Sequence, residues 1–218
     1  MNGKASLAVN GSSGNTAKIS GEAAGRLAWK HGPHIEILVG SYAYGKSRWV
    51  RDTNKSFLHL RHRYALDDAF DLEAIGQAQQ NEFARLKLRT LLGGGLRWGQ
   101  RDDGWKVYLG LGSFYERETL RGTAANAASP RTRLWRGNAY GTLFYAINER
   151  VGLQNTVYFQ PAWKDTADCR LLENAGMTVN LTEQLDLRPS IEVEKDSRPP
   201  AGIKPTDTSY KTGFEYRF

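Results

Sequence analysis

Tyr210-Lys-Thr-Gly-Phe-Glu-Tyr-Arg-Phe218 closes the chain, and its alternation decides the fold. Successive side chains of an extended strand point to opposite faces. Tyr210, Thr212, Phe214, Tyr216 and Phe218 therefore share one face, and Lys211, Gly213, Glu215 and Arg217 share the other. A soluble barrel turns its apolar face inward. An aromatic ladder backed by charges suits a strand with lipid on one side and a polar barrel lumen on the other.

Upstream, similar period-two segments recur between turn-forming residues. The first runs from Gly3 to Asn10, and Gly11-Ser-Ser-Gly-Asn15 turns the chain. The second sets Ala17, Ile19, Ala23, Leu27 and Trp29 against Lys18, Glu22 and Arg26. Ile35, Ile37 and Val39 mark a third. Leu58, Leu60 and Tyr64 mark a fourth, opposite His59, Arg61 and Arg63. Phe70, Leu72, Ala74 and Ala78 form a fifth, opposite Asp71, Glu73 and Gln77. Leu86, Leu88, Leu92, Leu96 and Trp98 form a sixth, opposite Arg85, Lys87 and Arg89. Val107, Leu109 and Leu111 give a seventh. An eighth, from Arg133 to Ile147, alternates too poorly to assign its faces. Residues around Val157, Met177 and Ile191 give the ninth to eleventh, and the terminal ladder is the twelfth. One stretch, Leu72 to Leu86, is rich in helix-forming residues and admits an amphipathic helix as the alternative.

The fold expected is all-β: one domain over residues 1–218, an antiparallel up-and-down transmembrane β-barrel of about twelve strands. An even strand count returns both termini to one side, expected to be periplasmic. Connections after even strands read as short. Those after odd strands read as longer, notably Gly45 to Asn54, Arg117 to Thr132 and Asp196 to Pro205. Indole rings prefer the membrane–water interface. Trp29, Trp98, Trp105 and Phe218 fall near the expected periplasmic ends, and Trp49, Trp135 and Trp163 near the outer ends. Ordinary core tryptophans are the alternative.

Composition agrees with this class. Mean hydropathy is −0.56 and no run of about 18 apolar residues marks a membrane helix. Barrel strands show lipid only every second residue, so average hydropathy conceals them. Cys169 is the single cysteine, which excludes an internal disulfide. No signal peptide is visible, and the chain reads as a mature one with an added or retained Met1; a cytosolic protein that never had a signal is the alternative. The net charge of +7 points to an anionic partner: lipopolysaccharide phosphate, an acidic solute or nucleic acid. Basic residues alternate with apolar ones and no nucleic-acid motif appears, so nucleic acid is set aside.

A C-terminal Phe on such a strand resembles the ending of bacterial outer-membrane barrels, which the assembly machinery reads. Ser13-Gly-Asn-Thr16, the run from Asn81 to Arg97, the run from Asn180 to Pro200 and Lys204-Pro-Thr-Asp-Thr208 together resemble the YdiY-like salt-induced outer-membrane protein family, a domain of unknown function. The resemblance covers nearly the whole chain. It implies a bacterial outer-membrane location and supplies no catalytic residues.

The chemistry expected lies in the lumen. Arg61 and Arg63, then Asp71 and Glu73, then Lys87 and Arg89 make neighbouring rows of opposite sign, with Arg85 beside the last. Glu192, Glu194 and Glu215 near Arg188, Lys211 and Arg217 repeat the mixture. Such rows can be salt bridges filling a narrow barrel, or the wall of a pore whose basic side draws anions. Twelve strands lie between filled and open barrels, so size leaves both readings open. At the outer rim Lys46, Arg48, Arg51, Arg121, Arg131 and Arg133 are candidates to contact lipopolysaccharide phosphate. A third reading is a lipid hydrolase. Four histidines are present, but His59 and His62 face opposite sides of a strand, and no Ser–His–carboxylate set or metal motif is apparent. The function expected is a monomeric narrow channel or envelope structural protein without a cofactor; the alternatives are a porin for small acidic solutes such as oligosaccharide acids, and a lipid-modifying hydrolase.

Overall fold

A computed structural model describes residues 2–12, 18–48, 50–122 and 129–218. Twelve antiparallel strands follow one another: β1 (Asn2–Ser12), β2 (Lys18–His31), β3 (His34–Ser47), β4 (Val50–Ala65), β5 (Phe70–Asn81), β6 (Leu86–Asp102), β7 (Trp105–Leu120), β8 (Arg131–Ala146), β9 (Val151–Ala162), β10 (Asp165–Asn180), β11 (Leu185–Asp196) and β12 (Thr206–Arg217). Each pairs with its sequence neighbours, and β1 pairs with β12 to close the barrel. Closure joins the two edge strands over residues 4–7 and 214–217. At the seam Lys4 stands opposite Arg217 and Leu7 opposite Phe214. The Gly3 and Phe218 backbones exchange hydrogen bonds of 2.9 and 3.0 Å, and the Phe218 ring lies over Gly3, where a Cβ would collide with it.

The outer wall is apolar. Leu92 and Leu111 are each 71% exposed and Tyr210 is 76% exposed, beside Leu58, Leu96, Leu109, Phe159 and Phe214. So much contiguous exposed apolar surface would be unfavourable in water and suits hydrocarbon. The terminal ladder lies as its alternation predicts, with Phe214 and Tyr216 outward and Lys211 and Glu215 among the inward ion pairs.

Both termini sit at one rim, called here the near rim, and its turns are short. Three of them share one construction. Leu66, Ile147 and Leu181 each donate to the carbonyl four residues on, at 2.9 Å in every case. The next side chain in each turn, Asp67, Asn148 or Thr182, accepts two backbone N–H groups further along the turn. Short oxygen-bearing side chains favour this self-bonded turn. At the far rim the connections over 121–130 and 197–205 are long. The long outer loop expected from Gly45 to Asn54 does not form: β3 and β4 continue through it to Ser47 and Val50, with a register shift at Gly45/Lys46.

The helix considered over 72–86 does not form. β5 takes Phe70 to Asn81 as a strand, because β4 on one side and β6 on the other occupy its backbone groups. Tertiary pairing overrides local preference there. The poorly alternating eighth segment acquires clear faces: Trp135, Leu143 and Tyr145 point outward, while Arg136 and Tyr140 are buried inside. Ile37 and Val39 of β3 line the lumen, because pairing sets them beside inward Arg61 and Arg26.

Candidate functional site: the barrel lumen

The interior is filled asymmetrically. Apart from Ala43 and Asp186, the buried side chains among the described residues come from β6 to β9. Phe114 is fully enclosed, and a Cβ on Gly93 would overlap its backbone. A Cβ on Gly110 would fall within the Tyr140 ring, so the missing side chain is what lets that ring lie against the wall. Close packing of this kind needs volumes matched across facing positions.

Charged side chains complete the filling near the far rim. Glu116, 1% exposed, meets Arg89 at 2.6 Å, Arg170 at 2.5 Å and Arg136 at 3.2 Å. Glu118 and Asp196 hold Arg170 at 2.7 and 3.0 Å, and Asp168 holds Arg136 at 2.8 Å. A buried carboxylate loses hydration and is stable only where charge and hydrogen bonds replace it. Three guanidinium groups do so here, drawn from β6, β8 and β10.

A second network occupies the near half. Arg61 reaches Glu73 at 3.4 Å, and Arg63 reaches Asp71 at 3.5 Å. Arg97 bonds Asp71 at 2.5 Å and stacks 3.7 Å above the Tyr108 ring. The Tyr140 hydroxyl donates to Glu73 at 2.6 Å. Arg61 also donates to the Tyr158 hydroxyl at 3.4 Å, five strands away round the wall. That side chain bridges the lumen.

The third network lines the seam. Lys4 and Arg188 share Glu215 at 2.7 and 3.1 Å. Lys211 lies between Glu22 at 3.1 Å and Glu192 at 3.0 Å. Arg217 meets buried Asp186 at 3.0 Å.

Beside the filled half runs a cavity of about 1340 Å3. Gly104, Lys106 and Phe144 line its near end, and Leu120, Pro200 and Ile203 its far end. Between them its walls carry Lys4, Glu22, Arg26, Lys55, His59, Arg61, Glu192, Glu194 and Lys211, with the small side chains of Ala24 and Ser41. Arg26, Lys55 and Glu194 make no ion pair among the described residues.

Two residues proposed for the lumen lie elsewhere. Arg85 is in the β5–β6 connection at φ +57°, and its guanidinium bonds the carbonyls of Ala201 and Arg121. Lys87 is exposed where the β6 register shifts between Leu86 and Leu88. The shift also turns Leu86 inward to line the cavity. The basic row facing Asp71 and Glu73 across β5 and β6 is therefore supplied by Arg97 and not by Lys87 and Arg89. Antiparallel register sets Asp71 opposite Arg97 and Gln79 opposite Arg89. Glu116, Arg136 and Arg170 carry no clear signal in the alternation: one sits beyond the apolar core of the seventh segment, one in the irregular eighth, one beside the lone cysteine.

At the rims, Trp29, Trp98, Trp105 and Phe218 lie at the near end, and Trp135 and Trp163 toward the far end. The Trp163 indole donates to the Ser113 hydroxyl at 2.8 Å. Trp49 lies outside the described residues. Lys46, Arg48, Arg51, Arg121, Arg131 and Arg133 all fall at the far rim, where Arg51 pairs with Glu82 at 2.5 Å. The histidines are engaged locally: His59 meets Gln77 at 3.1 Å, and His62 meets Glu36 at 2.6 Å. Among the described residues no three His, Cys, Asp or Glu side chains converge as metal ligands.

Comparison with known proteins gives the following. The family model described as "Protein of unknown function, DUF481" matches residues 5–218. No curated protein matches the chain. Among solved structures, the NanC porin superposes with a TM-score of 0.57 at 12% identity, covering 99% of both chains. A KdgM porin in complex with disordered oligogalacturonate gives 0.53 at 12% identity, again with 99% of each covered. The translocator domain of the autotransporter NalP from Neisseria meningitidis gives 0.51 at 15% identity, with 100% of this chain and 87% of that one covered. At such identities the likeness concerns the barrel fold.

Proposed function

Because the chain belongs to the DUF481 family of proteins of unknown function, we propose from its lumen that it is an integral barrel of the bacterial outer membrane acting as a narrow, mixed-charge channel. The observation that carries this reading is the cavity of about 1340 Å3 whose lining reaches both rims. Filling by β6 to β9 narrows the passage without occupying the side toward β1 to β4 and β11. The near rim is periplasmic in this reading, since the long connections over 121–130 and 197–205 lie at the opposite rim and the near rim holds both termini. The far rim then presents Lys46, Arg48, Arg131 and Arg133 to lipopolysaccharide phosphate, and the protein works as a single copy. The outward face of β12 and Phe218 serve recognition by the assembly machinery. Single-channel recording of refolded protein in a planar bilayer tests the proposal. Discrete, small conductance steps are expected; a barrel that inserts yet never conducts is a structural envelope protein instead.

A second reading is a porin for small acidic solutes. Arg26 and Lys55 favour it, because each faces the passage without an ion pair among the described residues. The solved KdgM porin, similar in fold, was in complex with an oligogalacturonate. A reversal potential under a salt gradient decides: anion preference supports this reading, and cation preference removes it. A lipid hydrolase remains a third reading with no geometric support in the interactions of His59 and His62.

A further inference from the structure

One far-rim contact joins two connections that lie opposite each other. Arg85 is in the β5–β6 connection, and Ala201 is in the connection between β11 and β12. Six strands separate these two gaps in either direction round the barrel. A twelve-stranded wall with strands about 4.8 Å apart and tilted about 40° is about 24 Å across. Yet Arg85 Nη1 donates to the Ala201 carbonyl at 2.8 Å. A nine-residue loop doubled back on itself reaches roughly 17 Å at most. The bond forms only if the loop crosses most of the mouth and the arginine spans the remainder.

We propose that Arg85 is the positioning residue that latches the 197–205 loop as a strap across the far mouth, and so sets which solutes enter. Pro199, Pro200 and Ile203 of the strap line the cavity, which places the loop over the passage and not beside it. Its base is fixed on β10, where Arg198 meets Asp165 at 2.6 Å and Ser197 donates to the Cys169 carbonyl at 3.0 Å. Its tip is a turn closed by Ile203 donating to the Pro200 carbonyl at 2.9 Å, with Gly202 at φ +84°. Arg85 itself holds a left-handed backbone, φ +57°, that an unbranched charged residue seldom adopts. Such an outlier persists where its surroundings determine it. Here the surroundings are bonds from its second nitrogen to the Arg121 carbonyl at 2.9 Å and from the Arg121 amide to its own carbonyl at 2.7 Å. The guanidinium therefore ties three far-rim connections together.

The size-limiting role rests on the channel reading; the latch does not, so the test has two readouts. With Cys169→Ser as background, spin labels at Lys87→Cys and Lys204→Cys report the distance from strap to opposite rim by pulsed electron resonance. A single narrow distance is expected in the parent. Arg85→Ala is expected to broaden it and lengthen it by roughly 10 Å as the strap swings back toward β11 and β12. Arg85→Lys, which keeps the charge but lacks the second donor arm, is expected to broaden it as well. A distribution unchanged in both variants overturns the latch. Conductance is measured on the same variants. A rise in Arg85→Ala supports the size limit, and an unchanged conductance beside a lengthened distance removes the size limit. If no variant conducts while the distance lengthens, the channel reading falls and the latch stands.

Discussion

Arg61 on β4 donates to the Tyr158 hydroxyl on β9 at 3.4 Å, across an interior that five strands of wall separate. The same guanidinium reaches Glu73 at 3.4 Å and lies 5.4 Å from the centre of the Tyr140 ring. It therefore divides the filled side of the lumen from the open one. Arg61→Ala is expected to widen the passage and raise single-channel conductance. Tyr158→Phe, which removes only the accepting oxygen, is expected to raise it less. Equal conductance in all three proteins would show that Arg61 does not bound the passage.

Glu116 is the hub of the far network. Removing one member of a buried ionic set leaves the other charges uncompensated and costs about 3–5 kcal/mol. Glu116→Ala is therefore expected to destabilise the barrel by about that amount. Glu118→Ala removes one partner from Arg170 and leaves two, and is expected to cost less. Urea titration of the folded barrel in detergent or lipid measures both, and the order of the two midpoints is the decisive comparison.

The facing of β5 and β6 can be checked by charge placement. Leu92 points outward and Gln77 lines the cavity. An arginine on a lipid face near the bilayer centre costs about 2–4 kcal/mol. Leu92→Arg is expected to lower the yield of folded protein in the membrane fraction, and Gln77→Arg to leave it near the parent level. The reverse pattern would mean that the wall is inside out.

Glu82, in the β5–β6 connection outside the strands, should respond to acid. The hydrogen bond from Asn54 at 2.7 Å lowers its pKa below the ordinary glutamate value; desolvation opposes this, and the Arg51 and Arg121 charges add to the lowering. A depressed folded pKa contributes stability above the unfolded value, and that stability disappears as pH falls through the folded one. The connection is expected to hold at neutral pH and to loosen below the usual carboxylate range. Amide exchange of residues 82–85 against pH reads this directly. In Asn54→Ala the midpoint is expected to move up toward the ordinary value.

Much of the architecture was legible because barrel strands obey a period of two. The ladder from Tyr210 to Phe218, the acidic face of β5 and the basic face of β4 all lie as their alternation indicates. Legibility failed where a strand is irregular or where partners are distant. The bulge at Leu86/Leu88 reversed the facing of Leu86 and left Lys87 off the lumen row. The long loop expected from Gly45 to Asn54 is instead extended strand up to Ser47 and again from Val50, because β3 and β4 keep pairing beyond Gly45. Asp71 pairs with Arg97 and not with Lys87 or Arg89, since opposite ends of antiparallel neighbours meet and like ends do not.

A two-faced wall of about twelve segments follows from local sequence alone, because outside bulges a side chain meets lipid or lumen according to its parity within a strand. Register, closure and depth are non-local quantities, set when distant strands pair. The tertiary structure brought Glu116 to three arginines from three other strands, set Tyr140 against Gly110, and left one side of the lumen open. It also placed Arg85 within 2.8 Å of Ala201, 116 residues along the chain. No local pattern encodes that contact, because it exists only when the circle of strands has closed and two loops face each other across its mouth.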